Sequence, residues 1–463
     1  MSNEIADIPE LVTDNKPGRP TSGRGSWTGW YLLTVLTIVT LFANVDRQVL
    51  ILQAEPIRLA LKLTDTQLGL LQGTGIAIFT AAATYPIAWL ADRIDRRVVL
   101  ALCLLVWSVS VVACGAAAGF ISLMFAGSMV GAGEAGLVPV SYSAIPDHFD
   151  GRRRQLANSV FSLAAGTGAA LASIIAGQLI AAVGHARPSL PLGLSHSETW
   201  RLGFWAAAAP APIMLLLIVT LPGVRRLLKK PRATGSGEAD SGLPELGPFF
   251  RRHMSAFLRL FSSFAAQGLG FGAVTSWLVV ICMRQFGQTA QQVGAGMGVG
   301  ILLALPVGFG ASLLLTRWLS PRFGRALPFR LLGITYGLSG VLMTLLLFAR
   351  VGLHVYLLTF VIYAILVAGA MTAPTAIQNL APARFRGRIF ALQSLIGVGA
   401  TAAAPPLVGA ISDQLKSLSN GLLVSAVALS VPLLLLAAAL MLWSEPRLVR
   451  ATDDAEEFDR AFN

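Results

Sequence analysis

A single carboxylate interrupts a long apolar stretch of the sequence. Glu134 lies in GAGEAG (131–136), within ISLMFAGSMVGAGEAGLVPVSYSAI. The glycine spacing is that of a dinucleotide-binding turn, but such a turn needs a preceding strand and a helix N-terminus, and this context supplies neither. A charge at the centre of a membrane costs about 2.5 to 3.5 kcal/mol on insertion scales, so it is usually functional. Two interpretations stay open: a buried ion pair that only fixes packing, and a group that gains and loses a proton.

A second pair of charges lies in the first apolar stretch, in FANVDRQVL. Asp46 and Arg47 are adjacent, so on a helix they point about 100 degrees apart and cannot simply neutralise each other. Each must find a partner elsewhere, and we expect them to be the counterparts of Glu134. We therefore expect Asp46, Arg47 and Glu134 to form one charged site.

Small and polar residues surround these charges. The first stretch carries a polar stripe at helical spacing that suits the wall of a wet cavity better than a lipid face, formed by Thr37, Thr40, Asn44 and Arg47. On the other stretch, Gly127 and Gly131 share the face of Glu134 and would leave space around its carboxylate. We predict that all of these except Thr37 belong to the substrate cavity.

Other polar residues at membrane depth could line the same cavity: Tyr142, Asn158, Gln267, Tyr363 and Gln393. Each could equally hydrogen-bond a neighbouring helix. The five histidines and three cysteines lack the spacing of metal ligands. We expect no metal site and no cofactor, and a proton gradient as the driving force.

The elements that position these residues are membrane helices. Of 463 residues, 55% are hydrophobic and only 13% are charged. The apolar stretches suffice for twelve spans of about 20 residues each. Lipid leaves backbone polar groups no partner outside the segment unless a barrel closes, so all twelve should be helices. The predicted fold is an all-α membrane protein with twelve transmembrane helices.

The net charge of +12 could indicate a nucleic-acid partner, but the positions of the basic residues favour another explanation. With both termini placed in the cytoplasm, the inner segments hold 26 of the 35 basic residues and the outer loops hold seven. This is the positive-inside pattern of a multi-pass protein of the inner (plasma) membrane. We expect the lipid bilayer, and no nucleic acid, as its partner.

The chain divides into two similar halves. We predict a disordered cytoplasmic N-tail (1–26), a six-helix bundle (27–223), a cytoplasmic linker (224–252), a second six-helix bundle (253–443) and a cytoplasmic C-tail (444–463). An arginine-rich turn follows the fourth span of each half, in DGRRRQLANSVFSLAAGTG and in RFRGRIFALQSLIGVG. Such duplicated units are typical of secondary transporters, whose binding site lies near the midplane between the halves.

Four motifs together resemble one branch of a known family. They are NVDRQ in the first span, LTDTQLGLL at the start of the second, LADRIDRR after it, and GAGEAGLVPVSYSAIPDHF in the fourth. The combination resembles the Spinster-like branch of the major facilitator superfamily, whose fold has two pseudo-symmetric six-helix halves. The resemblance implies that Glu134 and Asp46 are the proton-coupling residues and that Arg47 lines the substrate cavity. It also suggests a lysolipid-like or sphingoid solute, although drugs or organic acids remain alternatives.

One position departs from that branch, which commonly carries an arginine seven residues before this glutamate. Gly127 stands there instead. Seven residues span about 10.5 Å of helix, so the usual arginine would lie two turns away on the same face. Arg47 is then the only basic residue well inside the first half. Either Arg47 serves both acids in turn, or substrate or water occupies the vacated space.

LADRIDRR resembles the superfamily's gating loop between the second and third spans, in which an acid meets the N-terminus of span 11. A carboxylate near a helix N-terminus gains about 0.3 to 1 kcal/mol from the dipole, so we predict that Asp92 latches the halves on the cytoplasmic side. The predicted gating set is Asp92, Arg93, Arg96, Asp147 and Arg152. For the arginines and Asp147, a simple anchoring or topogenic role is the alternative.

These observations favour a monomeric secondary active transporter that moves a small, amphipathic or anionic solute by proton-coupled alternating access. No GxxxxGK[ST] motif indicates ATP-driven pumping. A receptor that binds solute without moving it is an alternative. A membrane-embedded lipid-modifying enzyme is another, but no nucleophile and base are visible, so we expect no enzyme.

Overall fold

The computed structural model of the protein describes residues 25–149, 151–191, 194–221, 243–382 and 385–461. Nearly all of them are helical. The first half contains α1 (Gly25–Leu52), α2 (Ala54–Leu61), α3 (Asp65–Gln72), α4 (Thr74–Arg93), α5 (Arg96–Ala116), α6 (Phe120–Glu134), α7 (Leu137–Ala144), α8 (Gly151–Ala186), α9 (Thr199–Ala208) and α10 (Ala211–Val219). The second contains α11 (Leu243–Thr275), α12 (Leu278–Phe286), α13 (Ala290–Phe323), α14 (Leu327–Thr344), α15 (Gly352–Ala370), α16 (Ala373–Leu380), α17 (Arg386–Gln414) and α18 (Gly421–Ala461).

Within these described ranges, 11 helical stretches are long and apolar enough to cross a membrane. The stretch Ala290–Phe348 has 59 residues and contains two helices, α13 and α14. They are separated at Gly324, whose φ of 48° only glycine adopts readily. Twelve spans result, six in each half, and the predicted fold class is confirmed.

Several spans are built from two helices. The fourth span changes from α6 to α7 directly after Glu134, and the tenth changes from α15 to α16 after Ala370. These two spans occupy corresponding positions in the two halves. Interrupted helices at corresponding positions are typical of the binding region of transporters with internal repeats.

Both ends of the described chain extend the bundles. Residues 222–242 lie outside the described residues, as do 1–24, so most of the predicted N-tail and linker cannot be compared. Helix α11 already begins at Leu243, inside the segment assigned to the linker. Helix α18 continues to Ala461, through almost the whole segment assigned to the C-tail. Leu448, Ala451 and Ala455 are buried there, which explains why the helix does not stop at the membrane surface.

Among the described residues, the extensive contacts between the two halves lie toward one end of the molecule. We call the terminal face the one that carries Gly25 and Ala461, and the far face the opposite one, which carries α2. Near the far face, α3 packs against α17, and α8 against α13. Toward the terminal face the same spans carry exposed apolar side chains: Tyr85, Trp89, Leu163, Phe309, Leu395 and Val398. An open cavity of about 800 Å³ separates α8 from α13 on the terminal side, whereas the halves are in contact near the far face.

Candidate functional site

An ion pair joins the first and fourth spans of the first half. Arg47 on α1 donates through Nη2 to Oε2 of Glu134, the last residue of α6. The side chain of Glu134 is only 7% exposed, whereas that of Arg47 is 49% exposed. Arg47 is therefore the exposed member of the pair, and the carboxylate of Glu134 lies behind it.

Asp46 lies on the buried side of the same helix. Asp46 is 8% exposed, and it forms no ion pair within the described part of the chain. Oδ1 of Asp46 and Oε1 of Glu134 are both buried and lack a hydrogen-bond partner among the described residues. A buried acceptor without a partner is costly, so both oxygens favour a proton, a water or a moving partner.

A small cavity lies between these two acids. Its volume is about 20 Å³, which is room for one water molecule. The walls include apolar residues and one thiol, and the lining comprises Asp46, Arg47, Leu50, Ile76, Val111, Cys114, Gly127, Val130, Glu134 and Phe204. The structure thus brings together four of the predicted site residues: Asp46, Arg47, Gly127 and Glu134.

The two glycines predicted for this site occupy different surroundings. A Cβ added at Gly127 would meet nothing within 4 Å, so the space beside this glycine is open. A Cβ at Gly131 would lie 2.6 Å from Oγ1 of Thr80 and 2.9 Å from the carbonyl oxygen of Ile76. Gly131 therefore allows α6 to approach α4, which is a packing role.

Two residues of the polar stripe on α1 donate hydrogen bonds to the backbone of α1 itself. Thr40 is buried, and its Oγ1 donates to the carbonyl oxygen of Leu36 at 2.8 Å. Asn44 donates through Nδ2 to the carbonyl oxygen of Thr40 at 2.8 Å. A hydrogen bond to the carbonyl four residues earlier satisfies a polar side chain without any cavity. The bonds of Thr40 and Asn44 therefore do not require that these residues line the substrate cavity.

A larger open cavity lies on the terminal side, beside α8 and α13. Its volume is about 800 Å³, and its lining is mixed in polarity: Arg154, Gln155, Asn158, Ser159, Ser162, Leu163 and Phe309. Asn158 carries a buried Oδ1 with no partner among the described residues. Tyr142 shares a hydrogen bond of 2.8 Å with Ser162. Sequence reasoning missed Gln155 and Ser162, although their spacing of three and four residues from Asn158 places all three on one helical face.

The predicted cavity residues of the second half are more dispersed. Tyr363 on α15 packs edge-on against Phe271 on α11, with ring centroids 5.1 Å apart. Gln267 and Gln393 are half-buried on α11 and α17. None of these three lines either cavity described above.

The predicted gating residues are only partly described. The side chains of Asp92, Asp147 and Arg152 lie outside the described residues. Arg93 lies over the ring of Trp89, 3.7 Å from its centroid. Arg96 is buried and donates through Nη1 to the carbonyl oxygen of Ser143 at 2.7 Å, which ties α5 to α7 within the first half.

Comparisons with known proteins agree with this architecture. The profile of the Major Facilitator Superfamily matches residues 36–405. An MFS-type efflux pump of Mycolicibacterium smegmatis is 28% identical over 426 residues, which cover 90% of this chain and 91% of that pump. A probable sulfoacetate transporter of Cupriavidus necator is 28% identical over 169 residues, 35% of this chain and 37% of the relative.

Among solved structures, the fold is similar to that of a bacterial homologue of the human lysosomal transporter Spinster, in an inward-facing and unoccupied conformation. The TM-score is 0.71 at 21% identity, and the match covers 93% of this chain and 98% of the other. At this identity the likeness concerns the fold.

Proposed function

Because the chain belongs to the Major Facilitator Superfamily, whose profile matches residues 36–405, we propose that this membrane transporter works by proton-coupled alternating access. Its motifs favour the Spinster-like branch. The observation that carries the proposal is the arrangement of one cation and two acids, in which Arg47 pairs with Glu134 while the nearby Asp46 has no cationic partner among the described residues.

A buried charge without a partner is strongly unfavourable, so one guanidinium cannot keep both acids ionised at once. While Arg47 binds Glu134, we propose that Asp46 holds the proton. When Arg47 turns toward Asp46, Asp46 releases its proton and Glu134 takes one up, so the site still holds one proton. When Arg47 binds an anionic solute, Glu134 takes up a proton while Asp46 keeps its own, so solute binding adds one proton to the site.

The exposed face of Arg47 favours a solute with an anionic group. A guanidinium binds carboxylates, sulfonates and phosphates through two parallel hydrogen bonds, and Arg47 is the more exposed member of its ion pair. The open cavity adds apolar side chains, Leu163 and Phe309, to polar ones. An anionic or amphipathic solute suits both features, and two relatives named an efflux pump and a probable sulfoacetate transporter are compatible with it.

We further propose that the protein is a monomer of the inner (plasma) membrane and that the terminal face is cytoplasmic. The excess of basic residues in the segments of that face supports this orientation. The driving force is the proton gradient, with no cofactor.

The test is solute flux in proteoliposomes with an imposed pH gradient, across a panel of anionic and amphipathic solutes. For one proton per solute, each unit of pH gradient supports at most about a tenfold accumulation. Glu134→Gln keeps the volume but removes proton release, so it should abolish accumulation while solute exchange continues. Glu457→Gln, an exposed acid at the end of α18, is the matched control and should behave as wild type.

Undiminished accumulation in Glu134→Gln would refute the coupling role. Saturable binding without any flux in the wild type would favour the receptor alternative.

A further inference from the structure

A charged cluster at the far face joins the two halves. Arg284 on α12 donates to both carboxylate oxygens of Asp65, at 2.6 and 2.9 Å, and to Oε2 of Glu55 at 2.8 Å. The acids belong to the first half and the arginine to the second. The side chains of Glu55 and Asp65 are 11% and 9% exposed, so these charges are largely withdrawn from water.

A second carboxylate of the second half caps a helix of the first. Asp413, in the last turn of α17, accepts hydrogen bonds from the backbone N–H groups of Asp65 and Thr66, at 3.2 and 2.9 Å, and from Oγ1 of Thr66 at 2.6 Å. The first N–H groups of a helix lack partners inside the helix and attract negative charge. Ser412 adds a bond of 2.8 Å to Oδ2 of Asp65.

Beneath this cluster, α3 and the start of α4 meet α17 backbone to backbone. A Cβ added at Gly69 would overlap the carbonyl group of Pro405, and one at Gly73 would lie 2.5 Å from the carbonyl oxygen of Ala402. Oγ1 of Thr74 donates to that same oxygen at 3.1 Å. The helices are thus in close contact at these positions, and the charged cluster lies at the outer end of the seam.

We infer that Arg284 and Asp413 are positioning residues that hold the far face closed while the cavity is open at the terminal face. All of their bonds to Glu55, Asp65 and Thr66 cross between the halves, so these bonds must break before the far face can open. The inference rests on the alternating-access part of the proposed function and not on proton coupling.

The energetic reason is the fate of the acids when a partner is removed. Without Arg284, Glu55 and Asp65 would remain buried in one seam with less compensating charge, and a broken buried ion pair is strongly unfavourable. Separation of the halves would return both acids to water. Arg58 also contacts Glu55, at 2.8 Å, and lies 3.9 Å from Asp65, but all three residues belong to the first half, so these contacts persist when the halves separate and do not close the seam.

The experiment measures distances between spin labels in the reconstituted protein, without solute or gradient. Cys103, Cys114 and Cys282 are replaced by alanine. One label pair reports on the far face, at Lys62→Cys and Ser419→Cys, and another on the terminal face, at Ser159→Cys and Arg317→Cys; all four positions are exposed.

In Arg284→Gln we expect the population ratio of far-face-open to far-face-closed molecules to rise about tenfold, with a matching shortening across the terminal face. Asp413→Asn keeps one acceptor oxygen but loses the charge, so it should shift the same ratio in the same direction by a smaller factor. Arg58→Gln removes a positive charge from the same cluster without an inter-half bond to Glu55, and should change the ratio less than twofold.

Unchanged distance distributions in both Arg284→Gln and Asp413→Asn would overturn the assignment, as would an equal shift in Arg58→Gln. A failure of proton coupling is distinguishable, because it would appear as full accumulation in Glu134→Gln and would leave these distributions unaffected.

Discussion

At the scale of single residues, the proposed mechanism depends on one exposed cation beside two buried acids. Glu134 is buried behind Arg47, and Asp46 is buried without a cation among the described residues. In the proposed mechanism, an anionic solute competes with Glu134 for the guanidinium without touching either acid. We propose that this competition links solute binding to proton uptake by Glu134, with no direct contact between solute and acid.

Gly127 and Gly131 give a matched pair of substitutions, four residues apart on α6. Gly127→Ala places a methyl group in open space, so the melting temperature should stay unchanged or rise slightly. Gly131→Ala forces the methyl group against Thr80 and the backbone of Ile76, and overpacking of this kind costs about 1 to 3 kcal/mol. Thermal unfolding of the purified protein in detergent distinguishes them. Equal losses for both variants would contradict the space assigned beside Gly127.

Part of this site could be predicted from the sequence. Asp46 and Arg47 are adjacent on a helix, so the sequence predicts a separate partner for each. Glu134 is identified because it is a charged residue in an apolar stretch. Helical spacing could not reveal that Thr40 bonds to its own helix, because a hydroxyl on a helix can turn either to a cavity or to the carbonyl four residues before. Nor could it separate Gly127 from Gly131, since the difference lies in the neighbouring helix.

At the scale of helices, the second spans of the two halves begin with the same capping motif, as expected for a duplicated six-helix unit. Thr64 and Gln67 form a capping box at the start of α3, and Thr289 and Gln292 form one at the start of α13. The threonine oxygens accept from the glutamine N–H groups at 3.2 and 3.3 Å, and the glutamine side chains bond back at 3.0 Å. The second span of each half therefore starts with the same T-x-x-Q device.

Thr64→Ala and Thr289→Ala should each destabilise the protein by about 0.5 to 2 kcal/mol, because each leaves a helix N–H group without its partner. Serine at either position keeps the oxygen and should restore most of the loss. Thr344→Ala is the matched control, since its hydroxyl bonds only to the carbonyl oxygen of Val341 in its own helix. Melting temperatures in detergent give the comparison, and a loss in Thr344→Ala as large as in the caps would argue against the capping explanation.

Span positions followed from apolar length, but the interruptions within spans did not. Both interruptions do have a local signal that apolar length overlooks, because Pro139 cannot bond the carbonyl of Ala135 and Pro374 cannot bond that of Ala370. The extension of α18 to Ala461 has no such signal, because its polar composition indicated a tail while Leu448 and Ala455 are buried by tertiary contacts.

At the scale of the whole molecule, the halves close at one face and separate at the other. Composition and repeats were sufficient to predict twelve spans in two halves. They could not predict which face is closed, because one sequence must permit both arrangements in a transporter of this kind. The far-face cluster escaped detection for a related reason: Asp65 is separated from Arg284 by 219 positions and from Ser412 by 347, so only folding brings them together.

The central claim is that the acids beside Arg47 change protonation when the molecule changes conformation. Infrared difference spectroscopy tests it most directly, on protein cross-linked closed at the far face through Lys62→Cys and Ser419→Cys, or closed at the terminal face through Ser159→Cys and Arg317→Cys. We predict a protonated-carboxyl band that differs between the two preparations and is altered by both Asp46→Asn and Glu134→Gln. Spectra in which both acids are ionised in both preparations would contradict the account.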